Sequence, residues 1–206
     1  RLISAPGLYG NERRVDTPVV GRDAELAALQ ASWDAATDTR RAQLVTVIGD
    51  AGVGKSRLVR ELMNRVEGRG RIVFGRCLAY GEGITFWPLR EIVVTAAGIE
   101  RDDTPEEARA KVLALVEEEE VADRLASATG LSTKQFPLHE INWGARRLMQ
   151  RLAVDGPVLA MVDDIHWAEP AFLDLLENLL DTVENAAVLV VATARHDLLE
   201  ARPEWG

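Results

Sequence analysis

Residues 48–57 read IGDAGVGKSR, that is Ile48, Gly49, Asp50, Ala51, Gly52, Val53, Gly54, Lys55, Ser56 and Arg57. The stretch follows the apolar run QLVTVI (43–48) and precedes a helical pattern over 55–67, so it is a glycine-rich turn from a strand into a helix. Gly49, Gly54, Lys55 and Ser56 match the pattern G-x-x-x-x-G-K-[ST]. At ordinary residue frequencies a chain of this size contains the pattern by chance with a probability of about one per cent, so the match carries weight even before its context is counted. The chemistry is direct. Glycines let backbone N–H groups wrap phosphates, the helix beginning at Lys55 aims its positive end at them, Lys55 reaches the outer oxygens, and Ser56 is placed to ligate Mg2+.

Three further apolar runs share the character of QLVTVI: RIVFGRC (71–77), PVLAMVD (157–163) and AAVLVVATA (186–194). Each is β-rich and nearly continuous, the pattern of a parallel strand covered on both faces. Helical patterns are expected over 55–67, about 88–97, 105–127, about 139–154 and 170–182, the last starting at Pro170. Asp23 is expected to cap an earlier helix in which Leu26, Leu29, Trp33 and Ala36 recur at helical spacing. Strands alternating with helices predict an α/β fold, a three-layer arrangement around a mainly parallel sheet, with ligands at the carboxyl ends of the strands.

That rule selects the remaining candidates. Asp163 ends an apolar strand where it can face a metal bound by Ser56, and Asp164 can orient or deprotonate an attacking water. VATAR places Thr193 and Arg195 at the same edge, where a polar or cationic side chain can sense a terminal phosphate. For His166 and Trp167 the simplest reading is local: the indole packs the turn and the imidazole hydrogen-bonds nearby. YGEGITFWP (80–88) reads as a loop near the site edge, with Phe86 and Trp87 in the core. The glutamates at 117–120 read as a solvated face of the 105–127 helix, and Arg146, Arg147 and Arg151 as the solvated basic face of the next.

Composition narrows the partners. With 206 residues, 47% hydrophobic, the chain can bury a core, and its net charge of −9 argues against direct grip on a nucleic-acid backbone. Cys77 is the only cysteine, which fits a reducing, cytoplasmic setting without disulfides, and the three histidines show no metal-ligand spacing. No apolar run approaches the roughly 18–20 residues of a membrane span, so no membrane partner is expected. Residues 1–18 read as a linker or arm and 19–206 as the domain. The absence of an initial Met and the stop soon after a buried-looking strand suggest a piece of a longer protein, truncated at its carboxyl end.

With these stretches in place, the chain resembles, over residues 17–206, the AAA-type P-loop ATPase module of the signal-transduction ATPases with numerous domains. VVGRDAEL, GDAGVGKSRL, GRCLAYGEGITFWPLREIV, VDDIHWAEP and VVATAR are similar, more narrowly, to the ATPase region of large actinobacterial-type regulators. Many of those carry a class III nucleotidyl cyclase before this region, and RLIS at the start resembles the segment that follows the cyclase; others end in a LuxR-type DNA-binding domain. The resemblance implies a P-loop NTPase fold with strand order 5-1-4-3-2, the fifth strand and a clamping domain lying beyond Gly206. It implies ATP and Mg2+ as ligands, adenine contacts from Val20, Gly21 and Arg22, Asp164 as the hydrolytic carboxylate and Arg195 as a phosphate sensor. Consistently, no NKxD guanine motif occurs. Two functions follow as expectations: a slow ATP-hydrolysing regulatory switch, or a scaffold gated by bound ATP or ADP without appreciable turnover, which is favoured by Asp rather than Glu at 164. Either could act through neighbouring domains of the same chain, helical repeats included, or as a homo-oligomer. A small-molecule kinase would need Arg146, Arg147 and Arg151 on a lid, and a transporter ATPase would need a serine-glycine-glycine signature that is absent.

Overall fold

The structure, a computed structural model, describes residues 21–79 and 85–206. The arm expected at 1–18, Val20 and the first part of the 80–88 loop, 80–84, lie outside the described residues.

Four parallel strands form the sheet: β1 (Ala42–Ile48), β2 (Arg71–Arg76), β3 (Val158–Asp163) and β4 (Val188–Ala194), in the order β1-β4-β3-β2. This is the 1-4-3-2 portion of the expected 5-1-4-3-2; no fifth strand lies among the described residues. Ile48 pairs with Ala194 and Arg76 with Asp163, so all four strands end along one edge. β4 inserts between β1 and β3, so the loop leaving β1 and the end of β3 flank the end of β4.

The two central strands are buried at every position, as continuous apolar runs predict, whereas β1 is half-buried along its length and β2 starts exposed. Alternation sends Leu159, Met161, Leu189 and Val191 to one face and Val158, Ala160, Val162, Val188 and Val190 to the other. The first face is covered by α1 (Asp23–Thr39) and α2 (Lys55–Val66) through Leu26, Leu29, Trp33, Leu58 and Leu62. The second carries α3 (Trp87–Ala97), α4 (Pro105–Val116), α5 (Glu119–Ala128), α6 (Leu138–Leu152) and α7 (Pro170–Thr182). The three layers are those expected.

Several local readings are corrected. Asp23 is the first helical residue of α1, not its cap; the cap position is Arg22, whose side chain does not cap the helix, and Asp23 and Glu25 favour the helix start through its dipole. The single helix expected over 105–127 is two. Thr104 and Glu107 form a reciprocal capping box that starts α4, and Glu117 ends it with φ 61°. The break turns Val121, Ala122 and Leu125 of α5 into the core. The glutamates stay on a solvated face, as expected, and three of them form surface ion pairs: Glu117 meets Arg151 at 2.6 Å, Glu119 meets Arg109 at 2.6 Å, and Glu118 pairs with Arg147. Arg147 and Arg151 remain partly exposed while making these pairs.

Phe86 packs partly buried against the core and Trp87, half-buried, opens α3. Two short elements had no counterpart in the sequence reading: a single 3-10 turn at Ile165–Trp167 and α8 (Asp197–Ala201). After α8, Arg202 pairs with Asp174 at 2.6 Å and Glu177 at 2.5 Å, and the Trp205 indole donates to Thr46 Oγ1 at 2.9 Å, tying the last residues to α7 and β1.

Candidate functional site

The site begins where β1 ends. Gly52 (φ 82°) and Gly54 (φ 95°) take left-handed conformations that cost side-chain-bearing residues strain, so the chain can curl into a loop and enter α2 directly. Gly54 O accepts Arg57 N at 3.1 Å and Leu58 N at 3.0 Å, which leaves the preceding amides of the loop and first turn without intrahelical partners. No side chain caps α2 and its first turn holds no acidic residue, so its positive end is open to an anion. Lys55 Nζ donates to Gly49 O at 2.7 Å and Asp50 O at 2.9 Å, holding the ammonium over the loop.

Two neighbours brace this loop. Gly49 N donates to Ala194 O at 3.2 Å, joining it to the end of β4. Arg22 donates to Val53 O at 3.2 Å while pairing with Glu25 at 2.9 Å, which ties Arg22 to the loop. Val20 lies outside the described residues. Ala51, Gly52, Val53 and Ser56 are exposed and Arg57 is half-buried; Asp50, also exposed, has Oδ1 3.4 Å from His196 Nδ1.

The carboxylates stand at the end of β3. Asp163, 6% exposed, accepts the hydroxyl hydrogen of the fully buried Thr193 on Oδ1, and its Oδ2 lies 3.5 Å from Arg76 Nη2. The same Thr193 oxygen accepts Asp164 N at 3.0 Å. One hydroxyl therefore fixes both aspartates, which is a role different from sensing a phosphate. Asp164 adopts φ 59°, ψ 42°, a left-handed conformation that aspartate tolerates better than most residues, and its side chain remains 41% exposed. Arg195, half-buried just past β4, makes no side-chain hydrogen bond or ion pair among the described residues.

His166 and Trp167 depart from the local reading. The His166 side chain is 1% exposed, yet neither ring nitrogen has a hydrogen-bond partner among the described residues, and Nδ1 lies 4.0 Å from Asp164 Oδ1. Burial lowers its pKa, offset by Asp164 and reinforced by the positive charge of Arg195. Trp167 is 43% exposed and lies against the imidazole with ring centroids 4.9 Å apart, rather than packing the turn inside.

Arg76 and Glu91 were not singled out in the sequence. Arg76 ends β2 opposite Asp163, its amide donates to Glu91 Oε2 at 2.6 Å, and burial raises the Glu91 pKa against that bond. The available signal was positional: an arginine ending an apolar run, as Arg195 does. Cys77 follows it, and burial, with Asp164, Asp163 and Glu91 adding, pushes its thiol up to about 12. The cysteine is chemically quiet.

The donor set suits Mg2+. Ser56 and Asp163 offer only oxygen, and no group of three or more His, Cys, Asp or Glu side chains among the described residues could enclose an ion. Mg2+ is the cation that is content with one or two protein oxygens, filling its octahedron with phosphate and water. No helix of the described residues is long and apolar enough to cross a membrane.

The AAA ATPase domain family matches residues 18–191. An uncharacterized protein of Rhizobium meliloti (strain 1021) is 29% identical over 196 residues, covering 88% of this chain and 19% of the relative, so the chain spans about a fifth of that relative's length. The crystal structure of CDC6P from Pyrobaculum aerophilum superposes with a TM-score of 0.49 at 14% identity, covering 92% of this chain and 43% of the other.

Proposed function

The chain belongs to the AAA ATPase domain family, and from that membership we propose that it is an ATP-binding, slowly ATP-hydrolysing switch domain of a larger cytoplasmic regulator. The observation that carries the reading is the Thr193 hydroxyl, which locks Asp163 and the Asp164 backbone together at the sheet edge shared with the Lys55 loop. A lysine held over a glycine loop and a carboxylate pair fixed at the adjacent strand end are what phosphoryl transfer to water demands, since the protein's task there is positioning and charge stabilisation.

Gly49 to Ser56 wrap the phosphates with backbone amides, and Arg57 continues that turn. Gly21 and Arg22, with Val20 before them, flank the adenine end. Lys55 exchanges the Gly49 and Asp50 carbonyls for the β and γ oxygens. Ser56 and Asp163 would hold Mg2+, which neutralises phosphate charge when bound. Asp164 orients the water and accepts its proton, and Arg195, with no ion pair of its own, faces the charge that develops on the terminal phosphate. Domains elsewhere in the protein, a nucleotidyl cyclase, helical repeats or a LuxR-type DNA-binding domain, would read the resulting change, with or without self-association. With a net charge of −9, this region is not itself the nucleic-acid contact.

A second reading, a nucleotide-gated scaffold with little turnover, is favoured by one feature: the short Asp164 side chain stands half in solvent, unanchored by any hydrogen bond among the described residues. The two are separated by measuring ATP affinity and steady-state phosphate release beside Lys55→Ala and Asp164→Asn. The switch reading expects Lys55→Ala to weaken binding at least about tenfold and Asp164→Asn to bind normally while losing about 10²-fold or more in rate. Lys55-dependent binding without phosphate release in the parent chain selects the scaffold.

A further inference from the structure

His166 is a buried polar side chain at this edge that the proposed chemistry leaves unused, and among the described residues neither of its ring nitrogens is paired. Both ring nitrogens are shut away from solvent without a partner, which is costly and rare unless a partner arrives in another state of the protein. Filling space does not explain an imidazole, since a phenyl ring would fill the same volume without orphaned nitrogens. The ring is also firmly placed. Ile165, fully buried, anchors the turn below it, Trp167 N and Ala168 N close the turn on Asp164 O and Ile165 O at 3.0 Å each, and the exposed Trp167 indole covers its outer side.

The nearest group able to complete it is Asp164. Thr193 fixes the Asp164 backbone, so the carboxylate moves only by side-chain rotation, and its Oδ1 lies 4.0 Å from His166 Nδ1. That is about 1 Å beyond a hydrogen bond, within reach of a small rotation. At 41% exposure the carboxylate is satisfied by solvent. Filling the site with a phosphate strips that water away, and a carboxylate losing water must find a protein donor. Of the cations of this edge, Lys55 and Arg195 are committed to phosphate in the proposed reaction, and Arg76 faces Asp163 at 3.5 Å. The imidazole N–H is the donor left.

Resting on the hydrolytic reading above, we propose that His166 is the positioning residue of Asp164: with the phosphate loop filled, His166 Nδ1–H donates to the Asp164 carboxylate and holds it toward the attacking water. The proton stays on the imidazole; the water's proton goes to Asp164. His166 thus acts through Asp164 and does not touch the nucleotide.

The test joins kinetics to the ring's own signal. His166→Phe keeps the volume and removes both nitrogens, His166→Asn places an amide N–H near the Nδ1 position, and His166→Gln places one near Nε2. The expectation is that Phe lowers kcat by about 10²-fold with ATP affinity within about twofold, Asn restores it to within about fivefold, and Gln does not. Nitrogen-15 spectra of the histidine rings, recorded with a non-hydrolysable ATP analogue and Mg2+, should show a hydrogen-bonded Nδ1 proton on His166 that is lost in Asp164→Ala. Equal losses in Phe and Asn, rescue by Gln alone, or an unmoved His166 ring while the 49–56 amides shift on nucleotide binding would each overturn the proposal. Binding without turnover in the parent chain defeats the hydrolytic reading alone, because the ring signal still reports whether Asp164 meets His166. Unmoved 49–56 amides defeat nucleotide binding itself and this proposal with it.

Discussion

Thr193 concentrates most of the site's order in one atom. Its oxygen donates to Asp163 and accepts from Asp164 N, so Thr193→Val keeps the shape and leaves a buried amide and a nearly buried carboxylate oxygen unpaired. Such losses cost about 1–3 kcal/mol, which a urea titration reads directly; Thr193→Ser, which retains the hydroxyl, is expected to recover most of it. Recovery by Val instead would show that the methyl contacts, not the hydroxyl, hold β3 to β4 at this point. Cys77 offers a second check at the same scale. A thiol pushed up to about 12 by burial and three nearby carboxylates holds almost no thiolate at pH 8, so a thiol-specific disulfide reagent is expected to label it only as fast as the chain opens. Labelling at the rate of a free peptide thiol would place Cys77 outside the packed edge.

At the scale of elements, backbone contact explains what side-chain pattern cannot. A Cβ added to Gly75 in β2 would sit 2.4 Å from the Pro88 carbonyl oxygen at the start of α3, a backbone atom that cannot swing aside. Gly75→Ala is therefore expected to cost several kcal/mol, at the upper end of overpacking penalties of about 1–3 kcal/mol, and to be seen as a lowered Tm with α3 loosened from β2. Nothing in the run RIVFGRC marks that glycine as an approach point, because the partner lies across the chain's next connection. The strands were legible for the opposite reason: a parallel strand buried on both faces writes its environment into its own composition. The glycine loop, Lys55, Asp163 and Asp164 were legible because their chemistry forces local spacing. The break at Glu117 was not, since it serves the burial of Val121, Ala122 and Leu125 against other elements, and 105–116 and 119–128 are each good helix on either side of it. His166 and Arg76 were hidden likewise. Their meaning lies in what burial and strand register bring beside them.

For the whole molecule, the helical layer behind the sheet is held by ion pairs as well as by its apolar core, and this sets how the fold answers to acid. Asp123 accepts from Lys134 and Arg109, which lower its pKa, and Asp103 is lowered by the Lys111 ammonium; Glu107 is lowered by the Thr104 amide and hydroxyl. A carboxylate whose folded pKa lies below its unfolded value of 3.8 or 4.5 binds its proton more readily in the unfolded chain. Stability from these groups is therefore complete above about pH 5 and is lost as pH falls through 4 toward the folded values. The buried His166 adds a loss of the same sign at a higher pH, because a lowered imidazole pKa leaves the unfolded chain to take up the proton first as pH drops below 6.5. The expected urea midpoint is thus flat at neutral pH, dips gently below 6.5 and falls steeply below 4. Asp123→Asn removes the carboxylate that joins α4, α5 and the turn at Lys134, so it should lower the midpoint at pH 7 and flatten the steep acid limb while leaving the gentle one. If the variant instead shifts the whole curve down in parallel, the lost contact is packing rather than charge, and the helical layer owes its acid response to groups elsewhere in the chain.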